Sequence, residues 1–180
     1  MRVAVCAWLL AAVLAGCGGD VEPAAPAIPL GTAVGQRSPA LDGTLPDGAA
    51  FSAQNLQGSP TVIVFYRSVD CGLCRVQLEQ MKTNLSAYQR VGADLIAVTL
   101  DPPEVSSGWL EQAELGFPVV SVDSSTFETW GAMEPERPVP LPATYVIDEA
   151  GVVHFRHIGR NASDRTTDAE VVSVLEQLRR

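Results

Sequence analysis

Residues 62–80 read VIVFYRSVDCGLCRVQLEQ, and this stretch decides the architecture. Extended back by one residue, its first part is the run Thr61-Val62-Ile63-Val64-Phe65-Tyr66, β-branched and aromatic with no polar alternation. Such a run marks a strand buried on both faces, as at the centre of a sheet. From Gly72 to about Tyr88 the apolar side chains Leu78, Met81, Leu85 and Tyr88 recur at spacings of three and four. That period predicts one amphipathic helix. The tetrapeptide Cys71-Gly72-Leu73-Cys74 therefore sits where a central strand hands over to a helix.

The placement matters more than the four letters. A thiolate at a helix N-terminus faces unpaired backbone N–H groups and the positive end of the helix dipole. Those interactions can lower a thiol pKa to about 3.5–7.5 from about 8.5. The spacing lets the second sulfur reach the first and resolve a mixed disulfide. Cys71, first and most exposed, is the expected attacker, and Cys74, one turn in, the resolver. Asp70 works the other way, because a carboxylate close to a thiolate raises its pKa. Zinc would need two further ligands. The two histidines, His154 and His157, lie three apart on a strand-like stretch and should point to opposite faces. Haem attachment would need a histidine where Arg75 stands. No cofactor motif is present, and no metal site is expected.

Working outward toward the C-terminus, Asp94–Thr99 is again strand-like, and Asp101 is placed to cap a helix opened by Pro102 and Pro103. That helix should turn Val105, Trp109, Leu110 and Ala113 inward and end near Gly116. Val119–Val122 reads as a short strand, with Asp123 capping a short helix that runs to Gly131. Residues 144–148 and 152–156 form two strands joined by Glu149-Ala150-Gly151, an antiparallel hairpin signal. Thr167-Asp168-Ala169-Glu170 has the form of a capping box, with Val171, Val174, Leu175 and Leu178 as the apolar face of a last helix. Toward the N-terminus, Leu41-Asp42-Gly43 and Pro46-Asp47-Gly48 are turn signals consistent with a small hairpin. The fold class is α/β, with a central mixed β-sheet flanked by helices on both faces and an N-terminal hairpin.

The first residues are read as a targeting segment. Met1-Arg2 is a short positive start, and Val3 to Ala15 is an almost purely apolar run, too short to span a bilayer. It ends in Leu14-Ala15-Gly16-Cys17, which resembles the lipobox of bacterial lipoproteins. The resemblance implies a signal peptide over residues 1–16, lipid attachment at Cys17 and a protein anchored in the cell envelope. Gly18 leans toward outer-membrane sorting if the host is Gram-negative. Residues 17–36 hold several prolines and no apolar period and read as a flexible tether, leaving 37–180 as the folded domain. Export would put the domain where disulfides form, with Cys71 and Cys74 as the free thiols. Net charge is −9, from 12 basic and 21 acidic residues, which argues against a nucleic-acid partner.

The 62–80 segment, together with Leu141-Pro142-Ala143-Thr144-Tyr145-Val146-Ile147-Asp148, Gly151 and the last helix, resembles the thioredoxin-like redoxins. That broad group holds TlpA-type oxidoreductases and AhpC/TSA-type peroxiredoxins. The resemblance covers roughly Pro39 to the C-terminus. It implies a thioredoxin-like fold in which Pro142 is a cis-proline lying against the CxxC and Leu141 offers backbone hydrogen bonds to an extended substrate. Ser68 matches the Thr/Ser of the peroxiredoxin P-x-x-x-[TS]-x-x-C pattern, with Cys71 as its Cys, but Val64 replaces the Pro. The later peroxiredoxin Arg falls at Pro142, so Arg67, Arg75 or Arg156 would have to substitute in space. Three functions follow as expectations. The first is thiol–disulfide exchange with protein thiols and disulfides, through a redox partner protein. The second is a thiol peroxidase acting on hydroperoxides, with Cys71 peroxidatic and Cys74 resolving. A copper-binding module comes third, because two thiolates suit Cu(I) while the spacing fits the copper-delivering relatives poorly.

Overall fold

The computed structural model describes residues 31–53 and 58–180. Cys17 and the lipobox lie outside the described residues, as does most of the proposed tether. Within them no helix is long and apolar enough to cross a membrane.

Seven strands form one mixed sheet: β1 (Asp42–Thr44), β2 (Ala50–Ser52), β3 (Thr61–Phe65), β4 (Asp94–Thr99), β5 (Val119–Ser121), β6 (Ala143–Ile147) and β7 (Val153–Ile158). Their spatial order is β2-β1-β5-β4-β3-β6-β7. All five residues of β3 are buried, as its unbroken apolar run requires. β4 pairs with it in parallel on one side and β6 antiparallel on the other, with Phe65 opposite both Val98 and Ala143. β1 and β2 make the expected N-terminal hairpin, joined to the sheet by the Thr44–Ser121 pair.

The alternation of β3 separates two cores. Val62, Val64 and Tyr66 face α1 (Gly72–Thr83), α2 (Leu85–Arg90), α3 (Pro103–Ala113) and α5 (Asp168–Leu178), through Leu78, Met81, Tyr88, Val171 and Leu175. Ile63 and Phe65 face α4 (Ser124–Thr129) and the N-terminal segment, with Phe127, Trp130 and Tyr145. Phe65 contacts Phe127 edge-on at 5.1 Å, and Trp130 meets Tyr145 edge-on at 4.9 Å. Tyr145 donates its hydroxyl to the Trp130 carbonyl, and burial pushes its pKa up to about 12.

Several local expectations are corrected. The helix after Cys71 is two helices, broken at Asn84 (φ −98°, ψ 10°) where Thr83 and Asn84, both weak helix formers, fall together. The last helix explains why the apolar period carries through the break. Asp168 accepts hydrogen bonds from Asn84 Nδ2 and Tyr88 Oη, both at 2.6 Å, and ties α2 to α5. Asp101 does not cap α3, whose N-cap is Pro102 with no side-chain bond. Val105 is turned outward, 49% exposed, and Ser106 takes the buried position. The helix stops at Ala113 because Glu114 adopts a left-handed conformation (φ 45°). By contrast, Asp123 accepts the Thr126 N–H at 2.9 Å, and Thr167 and Glu170 form the complete capping box. Residues 31–36, read from the sequence as the end of the tether, are hydrogen-bonded into the fold. Gly35 and Gln36 pair with Val153, and Arg156 Nη1 donates to the Gly31 carbonyl at 2.7 Å.

Candidate active site

Cys71 is the N-cap of α1, with an extended backbone (φ −84°, ψ 109°), and its carbonyl accepts the Cys74 and Arg75 N–H groups. The turn before it is closed locally. Cys71 N–H donates to the Ser68 carbonyl at 3.1 Å, and Asp70 N–H to the Ser68 hydroxyl at 3.1 Å. Ser68 thus shapes the turn with its side chain, while its backbone N–H faces Cys74. Asp101 Oδ2 accepts the Val69 N–H at 2.7 Å, so the carboxylate read as a helix cap pins the cysteine turn to the end of β4 instead.

Both cysteines are reduced. Cys71 is partly exposed and Cys74 is fully buried. The Cys71 thiol donates toward Cys74 sulfur, and the two titrate as a pair. Burial, then that hydrogen bond, pushes the Cys71 thiol up. Burial also opposes charge on Cys74. There it is outweighed by the Cys71 hydrogen bond, the backbone N–H groups of Ser68 and Arg67, and the Arg165 guanidinium, which hold the Cys74 thiol below its ordinary value. The contacts that favour a thiolate therefore gather on the inner sulfur, opposite to the sequence expectation of an acidic Cys71. Asp70 is not the main reason, because its carboxylate points to solvent and toward Arg75 at 3.8 Å.

Arg165 is the residue that the sequence reading missed. Its Nη2 lies 3.4 Å from Cys74 Sγ, its Nη1 donates to Gln77 Oε1, and its Nε donates to the Ala162 carbonyl at 2.8 Å. The guanidinium at the sulfur belongs to none of the three arginines named as substitutes. Arg75 donates to the Val69 carbonyl and lies over the Trp109 ring at 5.5 Å, Arg156 holds Gly31, and Arg67 contributes its backbone N–H. A signal was available, since Arg165 stands just before the Thr167 capping box, where a loop enters a helix beside the sheet.

Pro142 is buried at the start of β6, but no cis peptide bond occurs among the described residues, so the Leu141–Pro142 bond is trans. The expected cis-proline is corrected. An X–Pro bond takes cis only where tertiary contacts compensate its cost, and here Pro142 serves the loop that carries Arg165. Its carbonyl accepts the Gly159 N–H at 2.8 Å, and a Cβ at Gly159 would collide with its ring and with the Asp164 carbonyl. Leu141 N–H is already engaged by the Ala132 carbonyl at 2.9 Å, which leaves only its carbonyl for an extended substrate.

Among the described residues no three His, Cys, Asp or Glu side chains gather as a metal site. His154 pairs with Asp148 at 2.8 Å and His157 with Asp164 at 3.0 Å.

The AhpC/TSA family model matches residues 34–156. The chain belongs to the AhpC/TSA family. Its curated AhpC/TSA relatives include alkyl hydroperoxide reductase E of Mycobacterium tuberculosis (strain ATCC 25618 / H37Rv), 22% identical over 97 residues, covering 52% of this chain and 63% of that protein. Chloroplastic peroxiredoxin Q of Populus jackii is 23% identical over 146 residues, covering 80% of this chain and 68% of its own. Among solved structures, a peroxiredoxin-like protein from Aquifex aeolicus superposes with a TM-score of 0.72 at 19% identity, covering 84% of this chain and 90% of its own. At that identity the superposition shows the thioredoxin-like peroxiredoxin fold. This AhpC/TSA chain spans a little under two thirds of the mycobacterial relative. Its Arg165 lies beyond the matched segment.

Proposed function

We propose that the protein is a thiol peroxidase, an oxidoreductase that reduces hydroperoxides by cycling Cys71 and Cys74 between dithiol and disulfide. The carrying observation is the sulfur pair itself: a partly exposed Cys71 that caps α1 and a buried Cys74 one turn on, held at the strand–helix junction with Arg165 against its sulfur. Family membership and the names of the relatives support hydroperoxide as the oxidant.

In this reading Cys74 thiolate takes the Cys71 proton, and Cys71 sulfur attacks the terminal peroxide oxygen. The O–O bond breaks, leaving a sulfenic acid on Cys71 and releasing an alkoxide or hydroxide, which takes its proton from solvent water. Cys74 then displaces hydroxide from Cys71 to close the disulfide, and the hydroxide takes up the Cys74 proton. A thiol reductant restores the pair. Because Cys71 caps α1 and Cys74 lies one turn in, the two sulfurs belong to a single helical turn. The test is stopped-flow reaction with hydrogen peroxide and an organic hydroperoxide. Rates far above that of free cysteine are expected, with one disulfide formed per peroxide. A rate no faster than free cysteine would overturn the proposal.

One observation favours a second reading, disulfide exchange with protein partners. The Cys71 thiol is pushed up rather than down, whereas a peroxidatic sulfur reacts as the anion. Insulin reduction or trapping of a mixed disulfide at Cys71, without peroxide reactivity, would select it. We also propose anchoring in the cell envelope through lipid on Cys17, supported by Leu14-Ala15-Gly16-Cys17 behind the apolar run. Acyl chains contribute about 0.8 kcal/mol per buried methylene to membrane affinity. Mass spectrometry of the mature N-terminus would reveal the added lipid, and an unmodified Cys17 would remove this part of the reading.

A further inference from the structure

The geometry points to Arg165 as a residue that stabilises the thiolate form of Cys74 in the reduced pair and thereby tunes the reduction potential of the Cys71–Cys74 couple. It rests on the dithiol–disulfide cycle proposed above.

Three observations carry it. First, the guanidinium touches a reacting atom: Nη2 lies 3.4 Å from Cys74 Sγ, a sulfur with no solvent exposure of its own. A buried anion is costly unless it is paired and hydrogen-bonded, and Arg165 is the cation in contact with it. Second, the guanidinium is held from all sides. Gln77 Oε1, on the same face of α1 as Cys74, accepts from Nη1, and the Ala162 carbonyl accepts from Nε. The planar fork then has one edge left for the sulfur, an orientation that a lysine ammonium would not reproduce. Third, the loop is built to present it. Asp164 binds the Arg160 N–H at 3.0 Å and pairs with His157 at 3.0 Å. Asn161 Oδ1 takes the Ser163 N–H at 3.0 Å, and Thr166 bonds Thr144 of β6 at 2.9 Å. Gly159 allows the loop to lie flat on Pro142.

The consequence follows from charge balance. Oxidation converts Cys71–SH and Cys74–S⁻ into one S–S bond, releasing two electrons and one proton. With a hydroperoxide as oxidant, the products are the disulfide, an alcohol and hydroxide. The disulfide carries no charge, so Arg165 stabilises only the reduced side. A contact of that kind makes the disulfide easier to reduce, and its loss makes the couple more strongly reducing.

The test is a glutathione redox titration of the full chain at pH 7, comparing wild type with Arg165→Gln and Arg165→Lys and reading disulfide by mass. For Arg165→Gln the equilibrium should move about tenfold toward disulfide, equivalent to a midpoint about 30 mV more negative. Arg165→Lys, which keeps the charge but not the fork, should recover part of that shift. An Arg165→Gln midpoint equal to wild type overturns the role of Arg165 while leaving the redox cycle standing. A wild-type chain with no reversible Cys71–Cys74 couple sinks the cycle itself. Should Arg165→Gln fail to fold, the 240 nm thiolate absorbance difference between Cys71→Ser and the Cys71→Ser/Cys74→Ser double variant decides. With Arg165 in place, Cys74 should titrate no higher than a free thiol despite its burial, and a value well above that range overturns the proposal.

Discussion

The β3–α1 junction and the connection between β7 and α5 reach the same sulfur pair by different physical routes. The junction supplies it through backbone. Cys71 is an N-cap residue, and the N–H groups of Arg67 and Ser68 approach Cys74 because the turn forces them to. The β7–α5 loop supplies one side chain, Arg165, and needs a set of side-chain bonds to aim it. Backbone donors depend little on residue identity, whereas a guanidinium at the end of a loop depends on every bond that fixes the loop. The junction should thus respond to substitution mainly in chemistry, and the loop mainly in tuning.

The largest effect is expected where the comparison is bluntest. Cys71→Ser should abolish both peroxide consumption and disulfide formation, checked by peroxide assay and by mass. Next, Cys74→Ala removes both the base that takes the Cys71 proton and the resolving sulfur, so it should slow the first oxidation of Cys71 and stop the intramolecular disulfide. A sulfenic acid would then persist, and turnover would rely on an external thiol. Dimedone labelling after peroxide treatment reads this, and a disulfide-competent Cys74→Ala would break the assignment of Cys74 as resolver. Asp101→Ala removes the carboxylate that pins Val69. Hydrogen bonds to charged groups contribute about 1.5–3 kcal/mol, and the unfolding free energy from a denaturant titration should fall by the lower part of that range.

The loop side of the comparison predicts smaller shifts. Thr167→Ala removes the cap that starts α5 directly after Arg165, with a cost of about 1 kcal/mol in unfolding free energy. The smallest effect is a pH slope. The Arg160 N–H, together with the Arg160 and His157 side chains, holds the Asp164 carboxyl below its ordinary value. A depressed folded pKa stabilises the fold above the unfolded pKa of about 3.9, and that contribution is lost as pH falls through the folded value. Asp164→Asn should therefore flatten the acid limb of a Tm–pH profile while changing Tm at pH 7 only modestly. An unchanged acid limb would show that the loop is not held through this carboxylate.

Read by itself, the sequence determined the central strand, the strand–helix placement of Cys71 and Cys74, the final hairpin and the Thr167 capping box. All of these are set by contacts within a few residues or by an apolar period, and such signals stay in the chain whatever surrounds it. Tertiary structure alone decided three things: the trans state of Pro142, the use of Asp101 as an anchor rather than a cap, and the guanidinium contact on the inner sulfur. The last is made by Arg165, which stands 91 residues from Cys74 along the chain. No local rule connects residues so far apart; the packing of the β7–α5 loop against α1 brings guanidinium and thiolate together.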